Sequence, residues 1–286
     1  MSGGWIAGDV RARGLAAADV RDIADRVAAT PDLEAACSLL GQTKWGHRIG
    51  EAATVEAAQR KIFDALLWQM RILAGWLPSE GVEAVRCCVL WFEIRNIEDR
   101  LAYFGGAPAE APYDLGRLGL ISKGLAGTSS AADIRRLMRA SAWGDAGGDD
   151  VYAIRIALRR TWYRRVRAAS PELRIWADAA AWLFASRERL GRRAGDAALA
   201  ATPPSLPSAW SWTTTVPWSE QNLWGAEERW WGQVRDEGVR LLHGSMGSKE
   251  PVLGAMATLG SSAHRIATAL EMAAGGGTVE RLDAAI

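Results

Sequence analysis

Between Cys87 and Phe104 the apolar residues Cys87, Leu90, Ile94, Ile97, Leu101 and Phe104 step by three and four in turn. Met256, Leu259, Ala263, Ile266, Leu270 and Ala273 repeat the same steps 169 residues later. A 3–4 rhythm places every one of these side chains on one stripe of an α-helix, and only a helix with an apolar surface to lie against can bury such a stripe. Strand alternation is scarce elsewhere. The pattern predicts an all-α chain, with helices near 5–28, 32–44, 51–75, 79–104, 130–142, 149–169, 172–192, 222–243, 249–274 and 277–285. Local punctuation supports these bounds. Thr30-Pro31-Asp32 offers a cap before the apolar run from Leu33. Ser79 and Glu80 follow Pro78, a helix start with an acid in its first turn. Gly105-Gly106 supplies a stop.

A second repeat has a different offset. Residues 39–46 read LLGQTKWG and residues 137–144 read LMRASAWG, both fitting L-[LM]-x-x-[ST]-x-W-G at a separation of 98. Two repeats at different offsets imply related helical modules. Trp45 and Trp143 are expected at equivalent, buried helix ends. The segment 197–220 holds four prolines and three tryptophans, and reads as a long connection pinned by Trp210, Trp212 and Trp218.

The polar residues beside the first stripe are Arg95, Asn96, Glu98, Asp99 and Arg100. Glu98 and Asp99 are adjacent and point about 100° apart on a helix, which speaks against a carboxylate pair for catalysis. Arg95 and Asp99 stand four apart, the spacing of a surface ion pair. Arg86, Glu93, Asn96 and Arg100 share another face, expected to be solvated. Arg95, Asn96 and Arg100 are the candidate partner-binding residues.

Composition narrows the function classes. The formal net charge is +1, so nothing marks a nucleic-acid binder. The basic helix IALRRTWYRRVRAAS, with Arg159, Arg160, Arg164, Arg165 and Arg167 around Trp162 and Tyr163, is expected to be solvated or protein-facing. Three cysteines, two of them adjacent and none in a C-x-x-C pair, argue against a disulfide framework and for a reducing compartment. The opening MSGGWIAGDVRARG has no apolar core of a signal peptide, and no apolar run reaches the ~18 residues of a membrane span. His47, His243 and His264 lack H-E-x-x-H or E-x-x-H spacing. GSMGSK at 244–249 is two residues short of a phosphate loop and reads as the glycine-rich joint between two helices. Asp149-Asp150 suits a helix N-terminus. No catalytic, cofactor or metal residues are assigned, and no cofactor or small-molecule substrate is expected.

Four segments, WIAGDVRARGLA, LEAACSLLGQTKWG, VLWFEIRNIEDRLAYFGG and EPVLGAMATLGSSAHRIATALEMAAGGGTVERLDAAI, resemble, in order, motifs of the V-type/archaeal-type (V/A) ATPase central-stalk family of C-type subunits, known as d-type in eukaryotes. Trp45 stands where an aromatic Tyr is usual, Asn96 at the family's helix Asn, and His264-Arg265 where Arg-Asn is usual. The resemblance implies three related helical bundles in a pseudo-threefold, funnel-like arrangement, here 1–106, 107–196 and 197–286. It also implies a non-catalytic adaptor between the central stalk and the membrane rotor ring of a proton- or sodium-pumping rotary ATPase. Such an adaptor is cytoplasmic and peripherally held at the inner face of the membrane.

Overall fold

A computed structural model describes residues 3–16, 20–46, 48–190, 206–215 and 219–275. The described residues are all-α, with no strand among them. The helices are α1 (Gly3–Ala16), α2 (Val20–Ala28), α3 (Leu33–Gly41), α4 (Val55–Ala74), α5 (Ser79–Phe104), α6 (Ser122–Leu125), α7 (Ala131–Arg139), α8 (Val151–Ala169), α9 (Pro171–Leu190), α10 (Trp212–Thr215), α11 (Glu220–Leu242) and α12 (Glu250–Ala274). The stretch expected as one helix over 5–28 is described as α1 and α2. The expected helix at 277–285 lies outside the described residues, as do Trp218 and His47.

Polar caps set the helix starts. Asp32, Thr54, Ser130 and Asp150 each accept a hydrogen bond from the backbone N–H three residues on, opening α3, α4, α7 and α8. Of the Asp149-Asp150 pair, Asp150 thus caps α8, while Asp149 accepts from Arg135 of α7 at 3.1 Å. At the far end of α5, Gly105 N–H returns to the carbonyls of Leu101 and Ala102. Gly275 does the same after α12, with Glu271 and Met272. Gly105 and Gly275 thus cap their helices with the same pair of bonds.

Contacts divide the chain into two compact units, Met1–Gly81 with Ser219–Ile286, and Val82–Trp218. The division falls inside α5 and after Trp218, so it cuts the segments 1–106 and 197–286 and leaves 107–196 whole within the second unit. In the first unit α12 is the central element. It packs on α1, α2, α4 and α11 and is buried over most of its length, from Pro251 to Gly260 without a break. Arg265 pairs with Asp25 of α2 at 2.6 Å, and Gln59 of α4 donates to Ala267 O and Glu271. The glycine-rich joint at 244–249 lies against α1, where Asp9 accepts from Gly247 N–H at 2.9 Å and Arg13 donates to Gly244 O. In the second unit the core gathers Leu90, Ile94, Ile97 and Leu101 of α5 with Ile134, Met138, Trp143, Ile154 and Leu158. Trp91 meets Trp162 and Phe184 at ring-centroid distances of 5.0 and 5.5 Å, tying α5, α8 and α9 together. Trp210 and Trp212 of the Pro/Trp connection are buried.

The stripes from Cys87 to Leu101 and from Met256 to Ala273 are buried in both helices. α12 is also approached closely by the backbone of its neighbour. A Cβ built on Gly254 would lie 2.6 Å from both Gly238 O and Leu242 N, so α11 and α12 touch backbone to backbone there. Gly254→Ala should therefore destabilise the first unit by about 1–3 kcal/mol, as overpacking with no flexible side chain to yield. Gly232→Ala on α11, where a Cβ meets nothing within 4 Å, should be neutral or stabilising by up to about 1 kcal/mol. Urea unfolding of the two variants measures the contrast; equal shifts would remove the close approach as its cause.

Candidate functional site

The L-[LM]-x-x-[ST]-x-W-G motif is built twice with the same bonds. Thr43 Oγ1 donates to Leu40 O at 2.8 Å and accepts from Trp45 N–H at 3.2 Å. Ser141 Oγ donates to Met138 O at 2.8 Å and accepts from Trp143 N–H at 3.1 Å. A hydroxyl at this position closes the turn after the helix from both sides, which is why the motif takes Ser or Thr there. The likeness runs further back than the sequence motif. Thr30 Oγ1 donates to Val27 O, and Thr128 Oγ1 to Leu125 O, again 98 residues apart. The caps Asp32 and Ser130 and the helices α3 and α7 keep that offset. Both tryptophans are fully buried. The glycines that follow differ in their reason. A Cβ on Gly46 would overlap Leu40 O, whereas Gly144 has a φ of +79°.

The two copies part at the indole nitrogen. Trp143 Nε1 donates to Glu93 Oε2 at 2.7 Å. Glu93 is completely buried on α5 and also accepts from the backbone N–H groups of Leu120, Ile121 and Ser122 and from Ser122 Oγ. A buried carboxylate is tolerable only when so supplied. It fixes the start of α6 and the Trp143 turn to α5. Trp45 Nε1 is buried and has no acceptor among the described residues. The residue 169 positions after Glu93 is Ser262, too short to play the carboxylate's part.

The face of α5 expected to be solvated is thus a buried polar seam. Asn96 is buried, its Nδ2 donating to Tyr113 O at 2.9 Å and its Oδ1 accepting from Tyr113 N–H at 2.7 Å. Arg100 donates to the Thr128 and Ala126 carbonyls and lies over the rings of Tyr103 and Phe104. Both residues hold the 107–130 segment to α5. Helical spacing groups them on a shared face, and that face serves the chain itself. Of the three partner-binding candidates, Arg95 alone is exposed, 3.8 Å from Glu98. Glu98 also receives Arg155 and Arg159 of α8. Arg165 reaches Glu83 at 2.8 Å and Arg167 reaches Asp178 at 2.7 Å. The basic helix accordingly spends much of its charge on carboxylates of its own unit. Burial, and after it the bond to Asp178, pushes the Tyr163 hydroxyl up to about 12.

The first unit carries its own polar seam on α12. His264 Nε2 contacts the buried carboxylate of Glu228, and its ring stacks on Trp231 at 5.2 Å. His243 Nδ1 lies 2.8 Å from Val239 O, one turn back on α11. Burial raises the thiols of Cys87 and Cys88 well above the ordinary range, Cys87 to about 11, so neither is a ready nucleophile. No group of three or more His, Cys, Asp or Glu able to hold a metal ion occurs among the described residues. No described helix is long and apolar enough to cross a membrane. Ser208-Ala209-Trp210 echoes Ser141-Ala142-Trp143, and Trp210 is likewise fully buried; the repeated tripeptide is the available signal for this third buried Trp.

No protein-family model matches the chain, and no curated protein matches it.

The paired turns make a stability prediction. Truncating Trp45 or Trp143 to Ala should destabilise by about 3–5 kcal/mol each. Phe keeps most of the ring, so Trp143→Phe should cost about 1–3 kcal/mol more than Trp45→Phe, because only Trp143 gives up a bond to a charged acceptor. Equal melts for the two Phe variants would show that the Glu93 bond contributes nothing.

Acid should act on the same module. Asp133 is held at about 2, first by the Ser129 N–H and then by the Ser129 and Ser130 hydroxyls. Asp145 is held at about 2, first by the Arg135 guanidinium and then by Gly147 N–H. Both lie below their unfolded values near 4. Their contribution is therefore complete above about pH 4 and is lost as the pH falls from about 4 to about 2. Protection factors of the α7 amides, taken against the intrinsic exchange rate at each pH, should fall across that window, and Asp145→Asn should weaken the response. Protection factors that are unchanged between about pH 4 and about pH 2 would contradict the assignment.

Proposed function

We propose that this chain is a non-catalytic central-stalk adaptor of a V/A-type rotary ATPase, coupling the stalk to the membrane rotor ring for proton or sodium transport. The observation that carries the reading is the repeated module. The Thr/Ser–Trp–Gly turn, its preceding helix and its cap recur at one offset, and the long striped helix recurs at another. A chain of related helical modules is what the motif resemblance implies, and the four resembling segments stand in the family's order. The polar groups of both seams support an adaptor as well. Glu93 and Asn96 are bonded to backbone groups, and Glu98 to arginines, so they brace helices rather than face a substrate. In this reading the protein sits in the cytoplasm, held peripherally at the inner face of the membrane by its partners. It turns over no substrate of its own, spans no bilayer and binds no nucleic acid. Arg95 is the one of the three candidate residues placed to touch a partner.

The test is a pull-down of the tagged full chain from membranes of the source organism. Recovery of stalk and ring subunits is the expected result. Repeated recovery of one unrelated complex, with no rotary component, would replace this function with that of a helical scaffold for another partner. Arg95→Glu should weaken recovery by a few-fold while leaving the melt unchanged, since exposed ion pairs contribute little to stability.

A further inference from the structure

The carboxylates within reach of α8 leave three arginines over. Arg155 and Arg159 reach Glu98, Arg165 reaches Glu83 and Arg167 reaches Asp178. Arg160, Arg164 and Arg174 have no carboxylate partner among the described residues. They are neighbours. Arg160 and Arg164 stand four apart on one face of α8, about 6 Å apart along its axis. Arg167 follows three residues after Arg164, and Arg174, in the first turn of α9, reaches the Arg167 carbonyl at 3.5 Å. Arg164 and Arg174 are exposed, and Arg164 has only the Thr161 hydroxyl, at 3.2 Å. Arg160 is half-buried, and its buried Nε has no acceptor among the described residues. Like charges at this spacing repel, a cost that an anion lying over them would reverse.

Charge and size together select the occupant. The unit that holds the cluster, Val82–Trp218, has 19 Lys and Arg against 14 Asp and Glu, so the surrounding field is positive and the partner is an anion. Three free arginines fall short of the roughly four to eight basic residues of a polybasic lipid-binding segment. The other side chains on this face of α8 are Ala153, Ala157 and Ala168, which offer nothing to insert into a bilayer. Nucleic acid meets the same shortage, because a phosphate backbone is typically held by roughly six to ten contacts. The rings that could stack on bases are also engaged within the unit, Trp162 against Trp91 and Phe184, and Tyr163 through its hydroxyl to Asp178. What three arginine forks match is a small set of carboxylates, each held bidentately in fixed geometry. A helix bearing Asp or Glu four residues apart repeats the ~6 Å step from Arg160 to Arg164. We propose that the Arg160–Arg164–Arg174 cluster binds an acidic helix of a protein partner that carries Asp or Glu at four-residue spacing. This rests on the adaptor reading and deepens it by naming a contact face and its partner's chemistry.

The test uses the full chain and two labelled Ala-rich helical peptides of about fifteen residues. One carries Glu at every fourth position, the other Gln at the same positions. Fluorescence anisotropy should show the Glu peptide binding about tenfold tighter or more, with an advantage that shrinks as salt is raised. Arg164→Gln combined with Arg174→Gln should remove that advantage without changing the circular-dichroism melt, because both side chains are exposed. Lys123→Gln, which removes an exposed base of α6, should leave it unchanged. Equal affinity for the two peptides, an advantage that survives the double variant, or one that Lys123→Gln removes equally, would overturn the proposal. So would duplex DNA or phosphatidylglycerol vesicles that bind the cluster more tightly than the Glu peptide does, or a dimer that the double variant dissolves, since each assigns the cluster to another occupant. No rotary component is present in this assay, so its failure is distinguishable from failure of the pull-down.

Discussion

The first unit depends on the burial of α12. A helix that is apolar around most of its circumference cannot sit at a surface, and it is stable only when enclosed. Here the enclosing elements come largely from the other end of the sequence: α1, α2 and α4. Polar bonds then fix the register of that packing. Asp9 and Arg13 hold the joint before α12, Arg265 holds Asp25 midway, and Gln59 meets Ala267 and Glu271 near the end. Hydrophobic burial alone would let a smooth helix slide; directional bonds at three levels along it do not.

In the second unit α5 meets the same requirement with a different residue. Its stripe is apolar on the core side, but the flank carries Glu93 and Asn96. Both bind the backbone of the segment that follows α5. The consequence is that the irregular 107–130 segment, which has little regular structure to satisfy its own backbone groups, is ordered by one helix. α12 carries Ser262 and Arg265 at the matching places; Arg265 bonds to α2, and Ser261, beside the matching position, bonds to Trp231 of α11. The two helices therefore share an apolar pattern and diverge in their polar one. Burial needs only the right kind of residue at the right spacing, while a polar bond needs a specific partner.

The same distinction explains how much of the molecule is legible in its sequence. The stripes, the caps at Asp32 and Asp150, the helical joint at 244–249 and the buried pair Trp45 and Trp143 are all readable, because each depends on residue type and local spacing. The polar face of α5 is not. Periodicity groups Glu93, Asn96 and Arg100 on one side of a helix, but whether that side meets water depends on where residues 113, 120–122 and 128 travel. Nothing local to α5 encodes that path. Trp210 reads as a pin for a loop, and its likeness to Trp143 becomes visible only once Trp143 is known to be buried.

What these seams do not offer bears on function. A general acid or base needs a proton position left available to a substrate, and a carboxylate whose oxygens already accept from three backbone amides, a hydroxyl and an indole has none to spare. The chemistry has gone into holding helices in place. The adaptor proposed above would need helices braced in this way, and its contact residues would be those that the fold itself does not use. Arg95 is one: its side chain is exposed and bears none of the buried bonds described above.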